Sequence, residues 1–263
     1  MGTELLTLLS PSAIVVFVMV FTRLSGMLAS APLFATYPIP MQIKIWLCAT
    51  TAFIMYPMVL NSVQTHIPNN MIEMTLLLIK EFFIGFLIGY ISRFIFSSLQ
   101  IAGHTLGVLT GLSMGQVFDP TSSEQTPVLG QIYVYIATIV FLGLNAHHWL
   151  FLSVLKSFSS VPPGLEFLFT PQLVKHVLLL FTQMFSISFQ VIMPIFCILF
   201  ISEVLMGFVA KMMPQMNIFM VALPFKIGLG LILMIIFVSP SITYIAHMIE
   251  KYMIGILRLF MGG

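Results

Sequence analysis

The pattern closest to a catalytic signature is Gly111-Leu112-Ser113-Met114-Gly115, which reads G-x-S-x-G. In a serine hydrolase that pattern lifts the nucleophile on a sharp turn between a strand and a helix. Here it falls inside a second series, Gly103, Gly107, Gly111 and Gly115, that repeats every four residues in an apolar region. Such a repeat brings small residues to one slowly rotating helical face, where another backbone can approach closely. Packing accounts for the spacing better than acyl transfer does. An intramembrane aspartyl protease needs two aspartates, and Asp119 is the sole one in the chain. His147 and His148 are adjacent, so on a helix they point about 100° apart instead of forming an i, i+4 zinc pair, and no H-E-x-x-H occurs. Cys48 and Cys197 are far apart and outside any C-x-x-C. The expectation is a protein with no catalytic residue, no metal and no cofactor.

The charges are the more informative polar signal. Arg23, Lys80, Glu81, Arg93, Glu203 and Lys226 all lie inside or at the edges of apolar segments. Each costs roughly 2.5 to 3.5 kcal/mol at the centre of a membrane helix, so each should find a partner, water or an interface. For Arg23 and Lys226 the simplest reading is snorkelling; for Glu203, pairing within a protein interface ranks ahead of ion coupling. Lys211 sits beside a methionine cluster, Met212, Met213 and Met216, that offers a soft surface to different neighbours.

The chain that positions these residues is apolar throughout. Of 263 residues, 59% are hydrophobic and only 7% charged, and the mean hydropathy is +1.10, outside the range of soluble domains. Stretches free of Asp, Glu, Lys and Arg fall at 5–22, 45–72, 94–118, 125–155, 176–202 and 227–249. Several exceed the roughly 20 residues that cross a hydrocarbon core as a helix. The expected fold is an all-α integral membrane protein of about six long apolar segments, several kinked or broken, forming hairpins. A net charge of +2 argues against nucleic acid or a polyanionic substrate. Ala29-Ser30-Ala31 fits a small-x-small cleavage site, but no basic residue precedes the apolar run and Arg23 lies within it, so residues 1–31 are expected to stay as the first helix and its exit.

In chain order, the first helix starts after Ser10-Pro11 and reaches about Leu28. Pro32, Pro38 and Pro40 force a bent connector, followed by apolar segments at 45–60 and 71–101, the latter carrying Gly85 and Gly89 at close-contact spacing. The glycine element then runs toward Phe118-Asp119-Pro120, where proline disfavours helix at Asp119 and a polar loop follows. Each glycine weakens a helix by about 1 kcal/mol against alanine, so this element can serve as a contact face or a moving part. A helix is expected over 127–155, a division or kink at Pro194 within 172–210, and a last segment over about 218–247. Counting basic residues per connection gives no single orientation: Lys44, Lys211 and Lys226 favour one side, Lys156, Lys175, Lys251 and Arg258 the other.

Taken in order, these residues resemble the FliR / type III secretion T-subunit family, the R subunit of the bacterial flagellar export gate. The likeness covers essentially the whole chain. It rests on Arg23 with Ala31-Pro32-Leu33-Phe34 and Pro40, Gly85 and Gly89, and Ala102-Gly103 through Gly107, Gly111, Leu112 and Ser113 to Asp119-Pro120. It continues through Pro127-Val128-Leu129, the stretch from Asn145 to Leu150 with Pro162, and Pro214-Gln215 with Phe219 and Pro224. His104 departs from the pattern where an acidic residue is common, and Lys211 where arginine is common. Lysine there keeps the charge and loses the fork geometry.

The resemblance implies one copy of this chain in a helical assembly with several FliP and FliQ subunits. About 1–155 would be FliP-like and about 156–263 FliQ-like within one membrane-embedded domain. The hairpins would be raised from the bilayer plane around a central channel, which would account for the inconsistent charge count. Residues of about 106–122 would form the plug, with Val117 and Phe118 as sealing residues. FlhB and FlhA, membrane lipid and unfolded flagellar proteins would be further partners, in the bacterial inner membrane at the flagellar basal body. The competing reading is a secondary transporter with a solute site near a broken helix at Pro194, using Glu203 or His104 for ion coupling.

Overall fold

Proline at the head of a segment sets the first turn of three helices, because its fixed φ suits that turn and its missing N–H would be unpaired there anyway. In the computed structural model these are α1, Pro11–Ser30, α2, Pro32–Thr36, and α7, Pro171–Met212. The others are α3, Met41–Leu60, α4, Met71–Thr110, α5, Val128–Gly143, α6, Ala146–Ser160, and α8, Ile218–Met261. The structure describes residues 11–36, 38–60, 70–113, 128–163, 171–215 and 217–261, and no strand occurs among them. Four described helices are long and apolar enough to cross a membrane, or five if α5 and α6 count as one interrupted span.

The chain packs as two compact units. One gathers residues 1–94, 145–181 and 250–263; the other gathers 95–144 and 182–249. In the first, α1 packs against the N-terminal part of α4 and against α3 and α6, around Met19, Leu24, Met27, Ile84 and Ile88. In the second, the end of α4 meets α5 backbone to backbone, and α7 and α8 run antiparallel, with Lys226 bonded to Glu203 and Tyr244 to Gln190.

Helix boundaries differ from expectation in four places. The helix expected over 127–155 is interrupted after Gly143, because Asn145 adopts a left-handed conformation (φ 53°) that asparagine tolerates better than most residues. Of the kink or division expected at Pro194, the division does not occur: α7 stays helical through it, as α8 does through Pro224 and Pro240. Apolar helices in membrane proteins tolerate proline when the freed carbonyls are satisfied nearby. Finally, α4 runs past 101 through Gly103 and Gly107 to Thr110, and α8 extends beyond 247 to Met261.

Candidate functional site

Two sets of residues carry the polar chemistry and the close packing. The first is a buried ion pair. Arg23 Nε donates to Glu81 Oε2 at 2.5 Å, and both side chains are 0% exposed. Arg23 NH1 donates to Ser157 Oγ at 2.8 Å, NH2 to the Val161 carbonyl at 3.2 Å, and the guanidinium lies 3.7 Å from the Phe158 ring centroid. Ser157 Oγ in turn donates a hydrogen bond to the Val154 carbonyl at 2.6 Å. One planar cation thus ties α1 to α4 and to the end of α6. Lysine could not match it, because the fixed fork addresses three acceptors and an aromatic face together. Glu81 Oε1 is buried and meets no donor among the described residues.

This pair sits at a glycine crossing. A Cβ on Gly85 would be driven into the Arg23 carbonyl oxygen, and one on Gly26 into the Phe82 carbonyl oxygen. A Cβ on Gly89 would collide with Ser30 Oγ, which itself donates to the Phe86 carbonyl at 2.8 Å. Contacts advance together along both helices, so α1 and α4 run parallel here with backbones touching. Sequence reasoning found Gly85 and Gly89 and missed their complement, Gly26-x-x-x-Ser30, although the spacing alone would have revealed it.

The second set is the glycine series. Gly103 lies against Gly130 of α5: a Cβ there would strike Gly130 Cα, with Gly130 N and Leu129 O both at 2.6 Å. Gly103 and Gly107 are helical, whereas Gly111 lies outside the helix with φ +80° and ends α4. Its N–H donates to Val108 O at 3.1 Å, and the Ser113 N–H reaches back to Gly107 O at 3.1 Å, pairing carbonyls that the last turn leaves open. The expectation that Gly111 shares a helical face with Gly103 and Gly107 is therefore corrected. Gly111 is a stop, and its α-carbon faces Leu223 of α8. Thr110, one residue earlier, fills the space left by Gly230. Gly115, Val117, Phe118, Asp119 and Pro120 lie outside the described residues.

Gly111→Val is expected to cost about 1–3 kcal/mol from the left-handed backbone alone, and its β-carbon would also lie 2.6 Å from Leu223 Cδ1. Accumulation of the folded chain in membranes should fall; an unchanged level would remove the packing role.

Lys226 Nζ meets Glu203 Oε1 at 2.7 Å, with side chains 18% and 57% exposed. Arg23 does not snorkel, since its fully buried guanidinium is spent on Glu81 of the same chain. Lys80 is half-buried, Arg93 and His104 are exposed, and Lys211 lies exposed in the last turn of α7, where a cation complements the helix dipole. Ser113 follows a helix and a glycine stop, the wrong context for a nucleophile elbow, which needs a strand before it. The His147 and His148 rings lie 4.2 Å apart, and His147 Nδ1 is buried without a partner among the described residues. No cluster of three or more His, Cys, Asp or Glu that could hold a metal occurs among the described residues.

A family model described as bacterial export proteins, family 1, matches residues 14–252. The chain is 30% identical over 225 residues to flagellar biosynthetic protein FliR of Bacillus subtilis, covering 85% of this chain and 86% of that protein. It is 24% identical over 233 residues to flagellar biosynthetic protein FliR of Escherichia coli, covering 87% and 86%. Secretion system apparatus protein SsaT of Salmonella typhimurium is 24% identical over 167 residues, covering 64% of this chain and 63% of that protein.

Proposed function

This chain belongs to the bacterial export proteins, family 1, and from that premise we propose that it is a single-copy core subunit of the flagellar type III export gate. It builds, with several FliP and FliQ subunits, the channel for unfolded flagellar proteins, next to FlhA and FlhB in the inner membrane. The likeness to FliR proteins over some 85% of the chain carries this reading. In it, the part up to about 155 corresponds to FliP and the remainder to FliQ. The chain contributes packing surfaces to the gate and no covalent chemistry.

The segment of about 106–122 is the plug in this reading. Support comes from the order of events along α4. Gly103 is clamped on Gly130, Thr110 on Gly230, and the chain then turns at Gly111. A gate needs a firmly held base followed by a segment that is cheap to rearrange. Deleting 114–120 while keeping Gly111 is expected to leave assembly intact and let small solutes leak through the assembled gate. A gate equally tight after the deletion would show that this segment does not close it.

A further inference from the structure

We infer that one stripe of α4, formed by Arg93, Ser97, Gln100 and His104, is a wetted wall of the export passage just ahead of the plug, and that Arg93 biases the open passage toward anions; the inference rests on the export-gate reading above. Between residues 91 and 110 only Arg93, Gln100, His104 and Val108 are exposed, with Ser97, Ile101, Thr105 and Leu109 half-buried and all others buried. At 100° per residue, Ser97, Gln100 and His104 return to within about 40° of Arg93 around the helix, so the polar residues share a line about 17 Å long. Along this part of α4 the chain encloses the helix on every side but this one.

Polar side chains that point inward are satisfied by their own helix: Ser92 Oγ donates to the Gly89 carbonyl at 2.6 Å, Ser98 Oγ to the Ile95 carbonyl at 2.6 Å and Thr110 Oγ1 to the Leu106 carbonyl at 2.9 Å. The stripe differs. Arg93 is the only acidic or basic residue between Glu81 and Asp119, and it pairs with no carboxylate among the described residues. Acyl chains offer neither an arginine nor an amide a partner. Water suits the stripe better than a partner helix does, because close helix contacts use small residues and α4 spends its glycines inward, Gly85 and Gly89 against α1 and Gly103 against Gly130 of α5. The stripe also leads to the plug: Val108 and Leu112, both exposed, flank Gly111, where α4 stops. A segment that closes a passage hangs from its wall, so the exposed side of the helix that carries it borders the passage. One arginine on such a wall, with no carboxylate on the same stripe, attracts anions and repels cations.

The test is the ratio of chloride to potassium permeability, measured in planar bilayers for the complex of this chain with FliP and FliQ after deletion of 114–120. Arg93→Gln should lower the ratio about threefold, the effect of one charge roughly 6 Å from the permeating ion in screened water, and Arg93→Glu should lower it further. In the intact gate, a photo-crosslinking residue in place of Gln100 should capture an export substrate stalled in transit. A conducting complex whose ratio is the same for all three side chains overturns the inference alone. Capture of FliP, FliQ or lipid at position 100, and never of substrate, overturns it too. So does failure of the Arg93 variants to co-purify with FliP and FliQ, which would make Arg93 an interface residue. A complex that carries no current after the deletion overturns the plug reading, and this inference with it.

Discussion

Arg23→Met is expected to destabilise the chain by about 3–5 kcal/mol, because it leaves the Glu81 carboxylate buried and uncompensated. The structure makes the loss larger than that of one ion pair. Arg23 is fully buried, holds Glu81, Ser157 and the Val161 carbonyl at once, and covers the Phe158 ring. Removing it uncouples α1 from α4 and α6 in one step. The readout is accumulation of the chain in membranes together with its thermal unfolding in detergent. Pairing the change with Glu81→Met should recover most of the loss, since two apolar side chains need no counter-charge and a buried pair is often no more stable than its apolar replacement. A double variant as unstable as Arg23→Met alone would show that the packing of these side chains, and not the unpaired charge, sets the cost.

Gly85→Val should be as damaging for a purely steric reason. The added β-carbon would have to occupy the position of the Arg23 carbonyl oxygen, with the Met27 amide nitrogen at 3.0 Å behind it. Backbone cannot swing aside as a side-chain tip does, so α1 and α4 must separate by about an ångström or more. That shift also pulls Arg23 from Glu81. Overpacking a tight core costs about 1–3 kcal/mol at ordinary sites, and a backbone clash lies at or above the top of that range. Loss of the chain from membranes and loss of motility are the expected readouts; Gly85→Ala, which adds the same β-carbon, should show them too, and Gly143→Ala, where nothing lies within 4 Å, should be silent. Normal function of Gly85→Val would mean that the two backbones do not touch.

The family was legible because its signals are local in the chain. Apolar runs, proline positions and four-residue glycine spacings are written in sequence order, and they carried the all-α membrane fold. What is fixed by neighbours from elsewhere was not legible. Arg23 and Glu81 are 58 positions apart, and nothing in either segment says that one is the other's partner. Snorkelling was a reasonable reading of an arginine near a helix end, and Ser157, Phe158 and the Val161 carbonyl, which keep it inside, lie more than 130 residues away. Proline at 194 does not divide α7, because the rule that proline breaks helices is calibrated on helices in water. Asn145 broke one instead, through a left-handed backbone that a polar residue in an apolar run only faintly advertises. The glycine series was read as one surface when it holds two devices. Gly103 is a contact and Gly111 a stop, and only the sign of φ separates them.

The most direct test of the export-gate assignment is native mass spectrometry of this chain co-expressed with FliP and FliQ and extracted in mild detergent. The account predicts one large complex holding several copies of each partner and a single copy of this chain. A monomer or a homodimer that leaves both partners unbound would contradict it.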